Sequence, residues 1–491
     1  MVESVVMSEN LIQLQRELQQ QLPPEALLTH PAQLTPYECD GLSAHRQRPA
    51  LVVLPESAEQ VALVVKRCHQ LQIPLVARGA GTGLSGGALP HREGVLLSLA
   101  RLNRILAIDP ARALARVEPG VRNLAVSEAA AAHRLYYAPD PSSQIACTIG
   151  GNIAENAGGV HCLKYGLTLH NVVALDLVLA DGTQVTIGSE APDTPGYDLL
   201  ALLIGSEGML GVVVGATLRL LPQPETVQVL LAPFDEVTAA AECVGAIIAA
   251  GTIPAGLEMM DRPAIAAAEA FVHAGYPDCA ALLLCELDGS GAEVAAAVAQ
   301  VSAIMRQQGA TEVRIAATPA ERALFWKGRK AAFPAVGRLA PDYYCMDGTI
   351  PRRHLATVLQ RISELSAHYG LAVANVFHAG DGNLHPLILY DANRAGELAQ
   401  AEQFGAAILQ LCVEYGGTIT GEHGVGSEKI DQMCIQFQDQ ALSQFHAIKA
   451  AFDPHAILNP GKAVPTLHRC AELGAMHVHR GELPFPELER F

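Results

Sequence analysis

Two hydrophobic periods alternate along this chain. Residues 8–22 space their apolar positions as a helix does, among good helix formers. A less regular, Pro-containing stretch follows to about Arg48, and from Ala50 short β-prone runs alternate with helical patterns. Residues 51–54 read as a strand, and Ser57 caps a helix through about Leu71 with Glu59 in its first turn. Strands are expected at 75–77 and 94–97, and an Ala-rich helix at 121–134. Runs at 172–179 and 184–187 bracket Asp181-Gly182, a hairpin pattern. A strand at 211–221 stops at Pro222-Gln223-Pro224, which marks a domain boundary. Beyond it, strands at 225–231, 280–287 and 311–316 alternate with helices at 235–251, 262–274 and 291–308. The same rhythm continues through 351–369, 371–377, 386–389 and 397–416. The expectation is an α+β chain with an N-terminal helical extension (1–45), a first domain (46–224), a second of helices on an antiparallel sheet (225–465) and a tail (466–491).

Composition narrows the class. Half of the 491 residues are hydrophobic and only 17% are charged, so the chain is globular with sizeable cores. A formal net charge of -17 argues against nucleic acid and anionic lipid as partners. No apolar run approaches the ~20 residues of a spanning helix. Glu3 and Glu9 near the start, without a basic region, do not suit a secretory signal. The eleven cysteines form no Cys-x-x-Cys pair, which suits buried thiols in a reducing cytosol. A cytoplasmic enzyme is the expectation, with His477-x-His479 in the tail able to take an adventitious metal.

Candidate chemistry begins at Arg78. Five glycines follow within nine residues (Gly79, Gly81, Gly83, Gly86 and Gly87), directly after the strand at 75–77. Glycine admits positive φ and lets backbone N–H groups approach a ligand, so such a loop forms a nest for a pyrophosphate, with Arg78 at its mouth. No Gly-Lys-Ser/Thr follows, and Gly86-Gly87-Ala88-Leu89-Pro90 cannot open a helix, so neither a P-loop nor a Rossmann turn fits. Two further segments, 137–159 and 205–211, are rich in small and polar residues where a core element would show bulky apolar ones.

Together the three segments resemble the FAD-binding domain of the vanillyl-alcohol oxidase and p-cresol methylhydroxylase flavoproteins, over roughly 46–224. The resemblance implies a two-subdomain domain whose glycine loop takes the FAD pyrophosphate while the later segments line the isoalloxazine and ribityl chain. The implied contacts are Arg78, Gly79, Ala80, Gly81, Thr82, Gly83, Ser85 and Gly86 from the first segment. The second gives Pro139, Asp140, Ser143, Gly150, Gly151, Asn152, Asn156, Gly158 and Gly159, and the third Glu207, Gly211 and Val212. Some relatives attach the flavin through a histidine in the first loop; Thr82 and Ser85 stand there, so the FAD is expected to be non-covalent.

The second half carries two more constellations. His378 and His385 flank Gly380-Asp381-Gly382-Asn383, a turn that lets them converge from the ends of two strands. Glu422 and His423 lie in a glycine cradle between Gly416 and Gly426. Neutral imidazoles with a carboxylate suit a divalent metal such as zinc or manganese. A lone histidine is more often structural, which is how His354, His368 and His455 are read.

These motifs resemble the C-terminal domain of FAD-linked 2-hydroxyacid dehydrogenases, and over nearly its full length the chain is similar to the FAD-linked catalytic subunits of bacterial glycolate oxidases. The resemblance implies that His378, His385 and Glu422 hold the metal, His423 is the general base and Arg329 takes the substrate carboxylate, for which a planar guanidinium fork is apt. Lys327 and Lys330 are read as exposed charges on the same helix. Asn459-Pro460-Gly461-Lys462 matches a segment that closes over the flavin. The uncharged Cys345 and Leu387 point to a small acid. The implied activity is oxidation of glycolate to glyoxylate, with electrons passed to a second flavin-domain subunit and an iron–sulfur subunit at the inner face of the membrane. A stand-alone D-lactate dehydrogenase is the alternative, and a flavin-free metallohydrolase would leave the glycine loop unexplained.

Overall fold

The structure is a computed structural model and describes residues 8–191 and 196–466; the tail from 467, with His468, Cys470, His477 and His479, lies outside the described residues. Helix α1 (Glu9–Gln21), capped by Ser8, buries Leu11, Leu14 and Leu18 against α2 (Ala58–Leu71). Ser57 caps α2, its hydroxyl accepting from the amide of Gln60 at 3.3 Å.

Strands β1 (Leu27–Leu28), β2 (Leu51–Val53), β3 (Leu75–Arg78) and β4 (Val95–Ser98) form a sheet in the order β1-β2-β4-β3. The last three are parallel and covered on both faces, which is why their apolar runs are unbroken. The free edge of β3 receives the chain again near its end. Leu75 donates to Ile457 O at 2.7 Å and accepts from the amide of Asn459 at 2.8 Å.

A second, antiparallel sheet follows from β5 (Ile105–Asp109), β6 (Leu114–Val117), β7 (Val172–Val178), β8 (Gln184–Gly188) and β9 (Val212–Arg219), ordered β5-β6-β9-β7-β8. The expected hairpin is β7–β8, with Gly182 at φ +88° and Asp181 accepting from the amide of Thr183 at 2.8 Å. The stretch 137–159, read as irregular, contains a short helix, α3 (Ile149–Glu155). It lacks a bulky apolar pattern because its first turn packs so closely on Pro119 that a Cβ on Gly150 would overlap it.

The second half is built on a seven-stranded antiparallel sheet: β10 (Thr226–Phe234), β11 (Gly256–Asp261), β12 (Ala281–Gly289), β13 (Arg314–Ile315), β14 (Asp342–Cys345), β15 (Val373–Phe377) and β16 (Pro386–Tyr390). Their order is β13-β10-β12-β11-β15-β16-β14. Alternate residues of β10 serve opposite faces: Leu230, Ala232 and Phe234 join one core, Val229 and Leu231 the other. Helices Val237–Ala249, Gly291–Gln307, Leu355–Tyr369 and Glu397–Glu414 cover the first face. Arg262–Val272 and α4 (Pro319–Val336), the helix carrying Arg329, cover the second. The pattern at 255–261 and 342–345 did not announce β11 or β14, and the expected strand at 311–316 is only the two-residue β13. Two unforeseen strands matter most, since each carries a carboxylate of the site.

Candidate active site

One cavity of about 450 Å³ runs from the glycine loop to the histidine cluster. The loop closes tightly at its start. Gly81 lies at φ +71°, where a Cβ would run into the Arg78 guanidinium, and a Cβ on Gly79 would overlap Thr148 Oγ1. Arg78 therefore backs the loop rather than standing at its mouth: its Nη1 donates to Cys39 O at 2.7 Å beside Asp40. Thr148 Oγ1 is buried without a partner and lines the cavity, a donor available to a bound cofactor.

Of the residues named for FAD, Arg78, Gly79, Ala80, Gly81, Thr82, Gly83, Ser143, Gly150, Gly151, Asn152, Glu207, Gly211 and Val212 line this cavity. Ser85, Gly86, Pro139, Asp140, Asn156, Gly158, Gly159 and Asn459 do not. Ser85 O instead accepts from the amides of Ser427 and Glu428, and Asn156 Oδ1 from the amide of Leu169. Asn459 Nδ2 donates to Gly87 O at 3.0 Å and Glu207 O at 2.7 Å, so it braces the loop from behind. Cys345 and Leu387 face each other across β14 and β16 in the buried apolar core, and Phe333, packed on that core, is what reaches the cavity.

The histidines converge as the turn between them requires. His378 follows β15, His385 precedes β16, and the amide of His378 donates to Asn383 O at 3.2 Å. Both Nε2 atoms come to 3.3 Å from Glu422 Oε1. On the far side Glu258 of β11 accepts from His378 Nδ1 at 2.8 Å and from Arg329 Nε at 2.9 Å. Burial pushes Glu258 up, but the charges of His378 and Arg329 outweigh it and hold the carboxylate below its ordinary range. Burial likewise opposes His378's proton, and Glu258 reverses this, raising the imidazole well above its usual value.

Asp347, directly after β14, organises the other wall. Its buried carboxylate accepts from Asn383 Nδ2 (2.9 Å), Thr420 Oγ1 (2.6 Å) and the amides of Gly421, Glu422 and His423 (3.0, 3.2 and 2.9 Å). Glu207, from the first half, accepts from the amides of Val425 and Gly426 at 2.7 and 2.6 Å. The loop bearing Glu422 and His423 is thus pinned from both sides. His423 stacks on His385 with ring centres 4.9 Å apart, and its Nδ1 is buried without a partner. Burial lowers His423 to about 4, so it is a neutral acceptor near neutral pH.

Two neutral-capable imidazoles and a carboxylate oxygen meeting this closely fit a divalent metal. Asp347, His385 and His423 also lie close together, but Asp347's lone pairs are already spent on N–H and O–H donors. Arg329 is fully buried behind the cavity wall; Lys330, Phe333 and Pro334 line that wall. Glu258, Asp347 and Lys330 escaped the sequence reading. A charge inside the apolar run Gly256-Leu257-Glu258-Met259-Met260 was the available signal for the first.

A fold with a glycine-rich cradle opening onto an imidazole–carboxylate cluster defines a flavin-linked oxidoreductase of two domains. The model described as FAD binding domain matches residues 49–188, and that of FAD linked oxidases, C-terminal domain, matches 223–463. The glycolate oxidase subunit GlcD of Escherichia coli (strain K12) is 62% identical over 96% of this chain and 95% of its own length. The GlcD subunit of Bacillus subtilis is 40% identical over 87% and 91%. A D-lactate dehydrogenase of Anaerostipes hadrus is more distant, 34% identical over 85% and 90%. The solved structure of p-cresol methylhydroxylase with substrate bound superposes with a TM-score of 0.80, covering 94% of this chain and 98% of that one at 18% identity, so it shares the fold. The chain belongs to the FAD-linked oxidases, among the glycolate oxidase subunits.

Proposed function

We propose that this protein oxidises a small 2-hydroxy acid, glycolate to glyoxylate, on a non-covalently held FAD. The observation that carries the reading is that the glycine cradle and the His378–His385–Glu422–His423 cluster open into one cavity; the 62% identity to a glycolate oxidase subunit supports the substrate. Residues 46–224 serve as the FAD-binding domain and 225–465 as the substrate domain.

Bound FAD supplies a two-electron acceptor, and a divalent ion on His378, His385 and Glu422 supplies a Lewis acid. His423, neutral and with Nδ1 unpartnered, takes the hydroxyl proton of the substrate. Arg329 spends Nε and Nη2 on Glu258 and offers the rest of its fork to the carboxylate. Phe333 and Pro334 give the wall an apolar surface that limits water beside the reacting carbon. Electrons leave to a second flavin-domain subunit and an iron–sulfur subunit at the inner face of the membrane. The sequence holds no Cys-x-x-Cys pair of its own, and no helix among the described residues is long and apolar enough to cross a membrane.

Anaerobic mixing of the purified yellow protein with glycolate, D-lactate and D-2-hydroxyglutarate tests the reading. Glycolate is expected to bleach the flavin fastest, and bleaching by D-lactate alone would overturn the substrate assignment.

A further inference from the structure

A second cavity, of about 650 Å³, lies against α4 and is bordered by Asp140, His161, Glu286, Trp326, Lys327 and Lys330. Lys330 lines both cavities. Along α4, Ala323, Lys327, Lys330 and Pro334 succeed one another at three- and four-residue steps, so one helix face runs from the second cavity into the first. A flavin seated on the glycine loop occupies the far end of the first cavity. The end left for substrate is walled by His385, Glu422 and His423 opposite Lys330, Phe333 and Pro334.

We propose that the second cavity is the vestibule through which the anionic 2-hydroxy acid reaches the reacting end, drawn in by Lys327 and Lys330. The inference rests on the reading above. Charge supports it. A formal net charge of -17 repels a carboxylate substrate from the molecule as a whole, so an approach needs a local excess of cations. The vestibule has one. Its two carboxylates are occupied: Asp140 and Glu286 grip His161 at 2.9 and 3.0 Å, and Trp326 Nε1 donates to Glu286 at 2.5 Å. Lys327 and Lys330 are exposed, and neither has an ion-pair partner among the described residues.

The test follows the holoenzyme's flavin by stopped flow under anaerobic conditions, with glycolate at increasing concentration and ionic strength. Lys327→Gln/Lys330→Gln is expected to lower the second-order reduction constant about ten-fold at low salt and flatten its salt dependence. The Lys327→Arg/Lys330→Arg variant restores both. Lys327→Gln alone, touching only the second cavity, gives part of the loss. Ala323→Trp, which narrows the vestibule without changing charge, lowers the constant at every salt concentration. A double glutamine variant with wild-type slope and salt dependence, or an effect confined to Lys330→Gln, overturns the vestibule alone. Wild-type flavin that none of the three acids bleaches sinks the reading of function and the vestibule with it.

Discussion

Glu258 lies between the guanidinium of Arg329 and the Nδ1 of His378, all three fully buried. Holding Nδ1 fixes the ring so that Nε2 faces Glu422, the arrangement a metal-binding imidazole needs. Glu258→Ala leaves a buried arginine without its counter-charge and should cost roughly 3–5 kcal/mol, read as a shift in urea midpoint. Glu258→Gln should keep the fold better yet lower bound metal per chain, measured by elemental analysis of the purified protein. At the other end of the cavity, Gly79→Ala forces a methyl onto Thr148 Oγ1. Flavin content, read from visible absorbance against protein, should fall several-fold, and the double variant Gly79→Ala/Thr148→Ala should regain part of it.

The loop from Thr420 to Gly426 has no regular structure of its own and takes its shape from two carboxylates on other elements, Asp347 and Glu207. Asp347→Ala removes the acceptor for three consecutive amides and leaves Lys429 buried beside a missing charge. Flavin should stay bound, while the reduction rate falls on the order of a hundred-fold, as expected when catalytic groups lose their positioning. Proteolytic cleavage within the loop should rise. What could be read from sequence follows the same division. The glycine loop, the His378–His385 turn and Glu422-His423 were legible because their members are neighbours in the chain and local backbone geometry makes the constellation. Glu258 and Asp347 act on partners 120 and 76 residues away, through strand pairings that no spacing along the chain records. Arg78 was recognised as belonging to the loop, but its direction was set by Cys39 O and Asp40, again distant in sequence.

The two halves are held as one body by the segment 457–462, which returns to the first sheet beside β3 and stacks Asn459 and Lys462 under Gly87. Asn459 also adopts φ +44°, a conformation asparagine tolerates better than alanine. Asn459→Ala should therefore cost roughly 2–3 kcal/mol in lost buried hydrogen bonds and split one thermal transition into two. Lys462 is lowered to about 8, chiefly by burial, against an ordinary lysine value of 10.5. The unfolded chain thus binds the extra proton between those values, and stability from this group rises as pH increases from 8 towards 10.5. The gap in urea stability between wild type and Lys462→Met should widen in favour of wild type over that window.

The same seam sets an order in time. Residues 79–87 are made early, yet their brace is Asn459 and Lys462, among the last parts of the chain to leave the ribosome. A nascent chain displaying its glycine loop has nothing behind it. Flavin uptake is consequently an event of the finished polypeptide, and shortening the chain by a tenth from its end would abolish the yellow colour while leaving every loop glycine in place.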